Sequence, residues 1–153
     1  MGRKNKKVYI CSPLRATTPE VQFLNMKRAE GREIFTQYYL NDRFPKYDWK
    51  TFAPHAYLPK FLDDNNTEER CIGLQFGAKL LKVSDYIAVF PSRGISQGMA
   101  SEIVLAVEFG LKIIVFGESE KRVLSEFLEN KKITAEVVNL YDFEGDKIWS
   151  VVV

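Results

Sequence analysis

The chain is poor in the side chains that build metal centres and disulfides: it has two cysteines, Cys11 and Cys71, and one histidine, His55. Two cysteines cannot make a disulfide framework, and with one histidine they match no zinc-ligand spacing, so neither metal nor cofactor is expected. Cys11, inside an apolar run, reads as a small core residue. Long apolar runs are also lacking. No segment reaches the roughly 18 residues a membrane span needs, and the first residues lack the apolar stretch of a signal peptide. A reduced, cytoplasmic protein without a membrane partner is expected. Charge of one sign is missing too: 22 Lys and Arg stand against 20 Asp and Glu, a net charge of +2. That excess is too small for a non-specific nucleic-acid binder. Its local part, Arg3, Lys4, Lys6 and Lys7, makes residues 1–6 a basic, solvated lead-in.

What is present is ordinary globular composition, 46% hydrophobic and 27% charged over 153 residues, without repeats or low-complexity stretches. A single domain over 1–153 is expected. Val8-Tyr9-Ile10-Cys11 reads as a buried strand. Thr17 and Glu20 are spaced as a capping box for a helix running to about Leu40, with Leu24, Ala29, Ile34 and Tyr38 inward. Trp49–Ala53, Tyr86–Phe90, Lys112–Phe116 and Ala135–Leu140 read as further strands. Helices are expected over about 67–82, with Cys71, Leu74, Ala78 and Leu81 on one face, and over 98–110 and 120–130. Strands alternating with helices argue for an α/β, doubly wound (flavodoxin- or Rossmann-like) parallel five-stranded sheet with helices on both faces.

Such sheets bind ligands outside the carboxyl ends of their strands. This selects residues 12–18, 54–64 and 91–102. The first holds Ser12 and Arg15, the second His55 and Tyr57, and the third Ser92, Arg93, Ser96, Gly98 and Glu102. Gly94-Ile95-Ser96-Gln97-Gly98-Met99 leads into a helix, where backbone N–H groups favour an anion. Glu102 falls about one turn after Gly98. By spacing alone, the favoured reading is that this carboxylate complements the helix dipole in the first turn. His55 reads either as a ligand-binding group or as a satisfied loop histidine. Tyr57 and Phe61 could stack on a planar ligand group, though aromatics in such loops more often cover the core edge.

Val8–Arg15, Asp85–Phe90 and Ser96-Gln97-Gly98-Met99-Ala100-Ser101-Glu102-Ile103 together resemble the nucleoside 2-deoxyribosyltransferase superfamily, which includes the nucleoside monophosphate N-glycosidases. The resemblance extends to about residue 117. It implies that Glu102 is the nucleophile attacking the anomeric carbon and that Tyr9 orients it. Ser96 stands where the 5′-monophosphate hydrolases have serine and the transferases aspartate. Ser12 and Arg15 match phosphate-binding positions, while His55, Gly98 and Met99 fall among the substrate-binding segments. An aspartate usual in the family is replaced by Gly77, leaving protonation of the departing base without an obvious agent; Glu69, Asp63, Asp64 and His55 are candidates. The function implied is an N-glycosidase hydrolysing the base–sugar bond of a nucleotide, a signalling nucleotide being one candidate. The alternatives are a non-catalytic nucleotide-binding protein and a nucleoside 2-deoxyribosyltransferase. A homo-oligomer sharing its active site is also implied, and the apolar end Ile148–Val153 suggests a partner surface.

Overall fold

The structure, a computed structural model, describes residues 3–14, 17–63 and 66–141. Its elements are β1 (Lys4–Cys11), α1 (Pro19–Arg43), β2 (Tyr47–Phe52), two single 3-10 turns (Pro54–Ala56 and Leu58–Lys60), α2 (Thr67–Lys82), β3 (Tyr86–Val89), α3 (Gln97–Glu108), β4 (Lys112–Phe116), α4 (Glu118–Asn130) and β5 (Val137–Tyr141). All strand pairs are parallel, in the order β2-β1-β3-β4-β5. This is the doubly wound α/β fold the alternation predicts.

Alternating side chains of the buried strands feed two cores. Val8 and Ile10 join Ala88, Ile114 and Leu140 under α1, whose Ala29, Tyr39 and Leu40 close that face. Tyr9 and Cys11 join Ile87, Val89, Ile113 and Val115 on the other face, beneath Leu81 of α2, Met99, Ile103 and Ala106 of α3, and Leu124 and Leu128 of α4. A site formed at the β1/β3 edge can therefore draw on helices from both layers.

Several expectations are corrected. The basic segment is not a free lead-in: β1 starts at Lys4, paired with Tyr47, and the Lys6 ammonium lies 5.0 Å from the Tyr47 ring centre. Strand pairing extends the element beyond its apolar run. Thr18, not Thr17, caps α1, accepting from the Val21 N–H at 3.3 Å. Pro19 takes the first helical position, which makes its predecessor the cap. The α1 face differs as well. Asn25, Ala29, Thr36, Tyr39 and Leu40 are buried, whereas Leu24, Ile34 and Tyr38 are exposed. Apolar residues ring this helix, so periodicity alone could not select its inner face. On α2, Cys71 and Leu74 are exposed while Gly77 and Leu81 are buried. That helix spends much of its inner surface on a cavity rather than on core.

Asp85 lies at the opposite end of the sheet from the strands' carboxyl ends, where its carboxylate accepts from the Lys7 N–H at 2.8 Å. It joins β1 to β3 and takes no part in the site.

Candidate functional site

The carboxyl ends of β1, β2 and β3 deliver Ser12, His55 and the α3 N-terminus to one crevice, at the point where the strand order reverses. Two adjoining hollows occupy it. One, of about 230 Å³, lies among α2, the 3-10 turns and α3, and includes Tyr9, Leu58, Gly77 and Glu102 in its wall. The other, of about 350 Å³, lies over the start of α3 and is walled by Ser12, Thr17, Ser96, Gln97 and Met99. Leu14, His55, Arg70, Leu74 and Gly98 line both. The first hollow is mainly apolar and the second more polar at its floor.

Glu102 stands on the second turn of α3, with 14% of its side chain exposed. The Tyr9 hydroxyl donates a hydrogen bond to its Oε2 from the strand floor. Oε1 is buried and has no hydrogen-bond partner among the described residues. Burial lifts the carboxyl above its ordinary range; nearby His55 and hydrogen bonds from Tyr9 and Cys11 pull partly against that rise. Burial, then the Glu102 carboxylate, holds the Tyr9 hydroxyl well above its ordinary value, so it remains a donor. The result is a carboxylate gripped through one oxygen with the other uncommitted. A merely dipole-capping glutamate would need no such grip.

His55 is anchored through Nδ1, 2.8 Å from the Ser12 carbonyl oxygen. A carbonyl only accepts, so Nδ1 carries a proton and Nε2 is turned toward the site. Nε2 lies 3.8 Å from Glu102 Oε2. Pro54, at the start of the 3-10 turn, fixes the chain direction that presents this ring.

The remaining singled-out residues divide. Ser12 is fully buried, and its Oγ lacks a partner among the described residues while lining the larger hollow. Ser96 is the N-cap of α3, accepting from the Met99 N–H at 3.3 Å. One lone pair is thus used, and its hydroxyl proton stays available. Gly98 borders both hollows, with open space where a Cβ would stand. Met99 is buried and packs into the sheet interface while flooring the polar hollow. Arg15 and Asp64 lie outside the described residues, as does Ile148–Val153. Tyr57 packs against the core beneath α1 and Phe61 is exposed; neither lines the two hollows. Of the candidate acids, His55 and Glu69 line the apolar hollow, whereas Asp63 lies in a separate groove that Glu69 also borders.

Sequence reading missed two features. Arg70, in the first turn of α2, borders both hollows. Its only signal was a helix start directly after a proline-bounded loop. The second is the reason for Gly77. A Cβ there would stand 3.1 Å from the Tyr9 hydroxyl oxygen. Glycine lets α2 pass close over the Tyr9–Glu102 pair. No described group of three or more His, Cys, Asp or Glu side chains could hold a metal. No described helix is long and apolar enough to cross a membrane.

Comparison with known proteins brings three findings. The model of one family, described as "Domain of unknown function (DUF7768)", matches residues 6–116. No curated protein matches the sequence. Among solved structures, the chain resembles a 2-deoxyribosyltransferase from the psychrotolerant bacterium Bacillus psychrosaccharolyticus at 16% identity and TM-score 0.51, over 72% of this chain and 71% of that one. It also matches a CMP N-glycosidase of Clostridium botulinum at 18% identity and TM-score 0.47, over 88% of each chain. The likeness to the 2-deoxyribosyltransferase establishes a shared fold.

Proposed function

The chain belongs to the DUF7768 family, whose description assigns no reaction, and we propose that it is an N-glycosidase cleaving the base–sugar bond of a nucleotide. The observation that carries this reading is Glu102, a buried carboxylate with Oε2 held by Tyr9 and Oε1 without a partner. The shared fold with a 2-deoxyribosyltransferase supports the same class of bond. The base lies in the apolar hollow against α2, and the 5′-phosphate lies in the polar one. There Ser12, Ser96 and the first N–H groups of α3 receive it, with Arg15 as a further phosphate ligand.

In this mechanism Glu102 Oε1 adds to C1′ while the C1′–N bond breaks and its electron pair leaves with the base. The transition state is oxocarbenium-like, and the product of this half-reaction is a glycosyl ester on Glu102. The departing base takes a proton from Nε2 of the His55 imidazolium. Neutral His55 then accepts a proton from the water that attacks C1′, releasing Glu102 and restoring the starting configuration at the sugar. His55 thus fills the role that an aspartate at the Gly77 position would otherwise take.

The rival reading, a nucleotide binder without turnover, draws on that Gly77. Incubation with a nucleotide panel, followed by chromatography for free base, separates the two. Base release that Glu102→Gln lowers by roughly a thousandfold or more, with nucleotide binding retained, supports the glycosidase. Tight binding of intact nucleotide by the unmodified chain supports the binder.

A further inference from the structure

A second group of charges lies at the same edge of the sheet, on its α1 side. Arg28 and Arg32 stand one helical turn apart on α1, about 6 Å by the rise per residue. The Arg32 guanidinium carbon lies 5.2 Å from the centre of the Phe90 ring. Phe90 directly follows β3, with its N–H bonded to the Cys11 carbonyl at 3.0 Å, and Arg93 comes three residues later. Arg28 donates to Asn25 Oδ1 at 3.1 Å, and Asn25 holds the Leu14 carbonyl at 3.0 Å. The cluster is therefore tied to the loop that lines both hollows.

Nothing described neutralises these groups. None of the three forms an ion pair with a described carboxylate. On their own helix, Glu30 faces Lys27 at 3.8 Å, and Glu33 accepts from the backbone of Ala53. Burial, then the neighbouring charges of Arg28 and Arg93, holds the Arg32 guanidinium below its ordinary value. Like charges gathered from two elements, one of them half-buried on an aromatic face, repel, and an anion placed among them relieves that repulsion.

We infer that Arg28, Arg32 and Arg93 form an anion site for a chain of linked phosphates. Planar guanidinium forks match phosphate oxygens in pairs, and three of them fit the charge of a diphosphate or triphosphate better than that of a single phosphate. A nucleotide and an inorganic polyphosphate are two sources of such a phosphate chain, and they share this chemistry. The inference stands apart from the glycosidic reading, because the site exists whether or not Glu102 reacts.

The test is calorimetric titration of the whole chain with orthophosphate, pyrophosphate and tripolyphosphate at constant ionic strength. The expected result is pyrophosphate or tripolyphosphate binding at least about tenfold tighter than orthophosphate. Arg93→Gln, at an exposed position, should weaken that binding roughly five- to tenfold. Arg122→Gln removes an equal charge from α4 and should change it by less than about twofold. Arg32→Gln should abolish the preference for linked phosphates; if that variant unfolds, Arg93→Gln decides alone. A parallel comparison of a nucleoside mono- and triphosphate identifies the source. A gain for the triphosphate that disappears in Arg93→Gln places the chain on a nucleotide, and a loss confined to the inorganic ligands places it elsewhere. Equal binding of ortho- and pyrophosphate, or equal weakening by Arg93→Gln and Arg122→Gln, overturns the inference.

Discussion

Tyr9→Phe removes one oxygen atom from a residue that is 1% exposed, and leaves the packing of β1 unchanged. Its consequence falls on Glu102, which loses the donor to Oε2 while Oε1 still lacks a partner. A hydrogen bond to a charged group contributes about 1.5–3 kcal/mol. With 14% of the glutamate side chain exposed, solvent screening takes little from that figure. For a domain of this size the loss corresponds to roughly 3–12 °C in Tm near neutral pH. The folded carboxyl already titrates above the unfolded one, so the native chain holds the extra proton between the two values. Stability therefore falls as pH rises through that interval. Removing the hydroxyl raises the folded value further and widens the interval. The melting difference between Tyr9→Phe and the unmodified chain should be largest near neutrality and shrink on acidification, as Glu102 becomes neutral in both states. Base release needs the carboxylate, so its acid limb should move to higher pH in the variant. Calorimetric melts from about pH 5 to about pH 8, with a pH–rate profile, measure both effects. A melting difference independent of pH, with an unmoved acid limb, would refute the claim that Tyr9 stabilises the charged form of Glu102.

Gly77→Ala should gain up to about 1 kcal/mol of helix propensity while pressing a Cβ toward the pinned Tyr9 hydroxyl. Its melting temperature should hold or rise while base release falls roughly tenfold, and full activity in a stabilised variant would end this account of the glycine. His55→Asn should lower turnover roughly 10²–10⁴-fold on a natural nucleotide, and far less on a sugar phosphate whose leaving group needs no proton. Equal losses on both substrates would move the proton-donor role away from His55, with Glu69→Gln as the next variant to assay. The exposed Phe23, Leu24, Ile34 and Tyr38 of α1 and Leu74 at the cavity wall offer apolar surface for a second copy. Light scattering at micromolar concentration should report at least a dimer, and a fully active monomer would remove the shared site.

The sequence by itself determined the layer architecture. Four-to-five-residue apolar runs separated by helix-length segments leave few arrangements besides a parallel sheet covered on both faces, because such strands must be buried on both sides. It also picked out the chain segments that meet at the crevice, since the carboxyl ends of the strands lie there and Ser96–Glu102 opens a helix at the same edge. What it could not determine is anything that depends on which face a residue turns toward a distant element. The inner face of α1 stayed hidden because apolar residues surround that helix, and only packing on Val8, Ile10 and Ala88 chose Ala29 and Leu40 over Ile34 and Tyr38. Gly77 gave no local signal, for its role exists only where α2 passes over the Tyr9 hydroxyl at the end of β1, and Arg70 showed nothing beyond a helix start after a proline-bounded loop. The same holds at Glu102. Spacing favoured a dipole cap over a chemical group, and only the tertiary fold supplied the grip from Tyr9, 93 residues away, together with the burial that makes an uncommitted carboxylate oxygen costly.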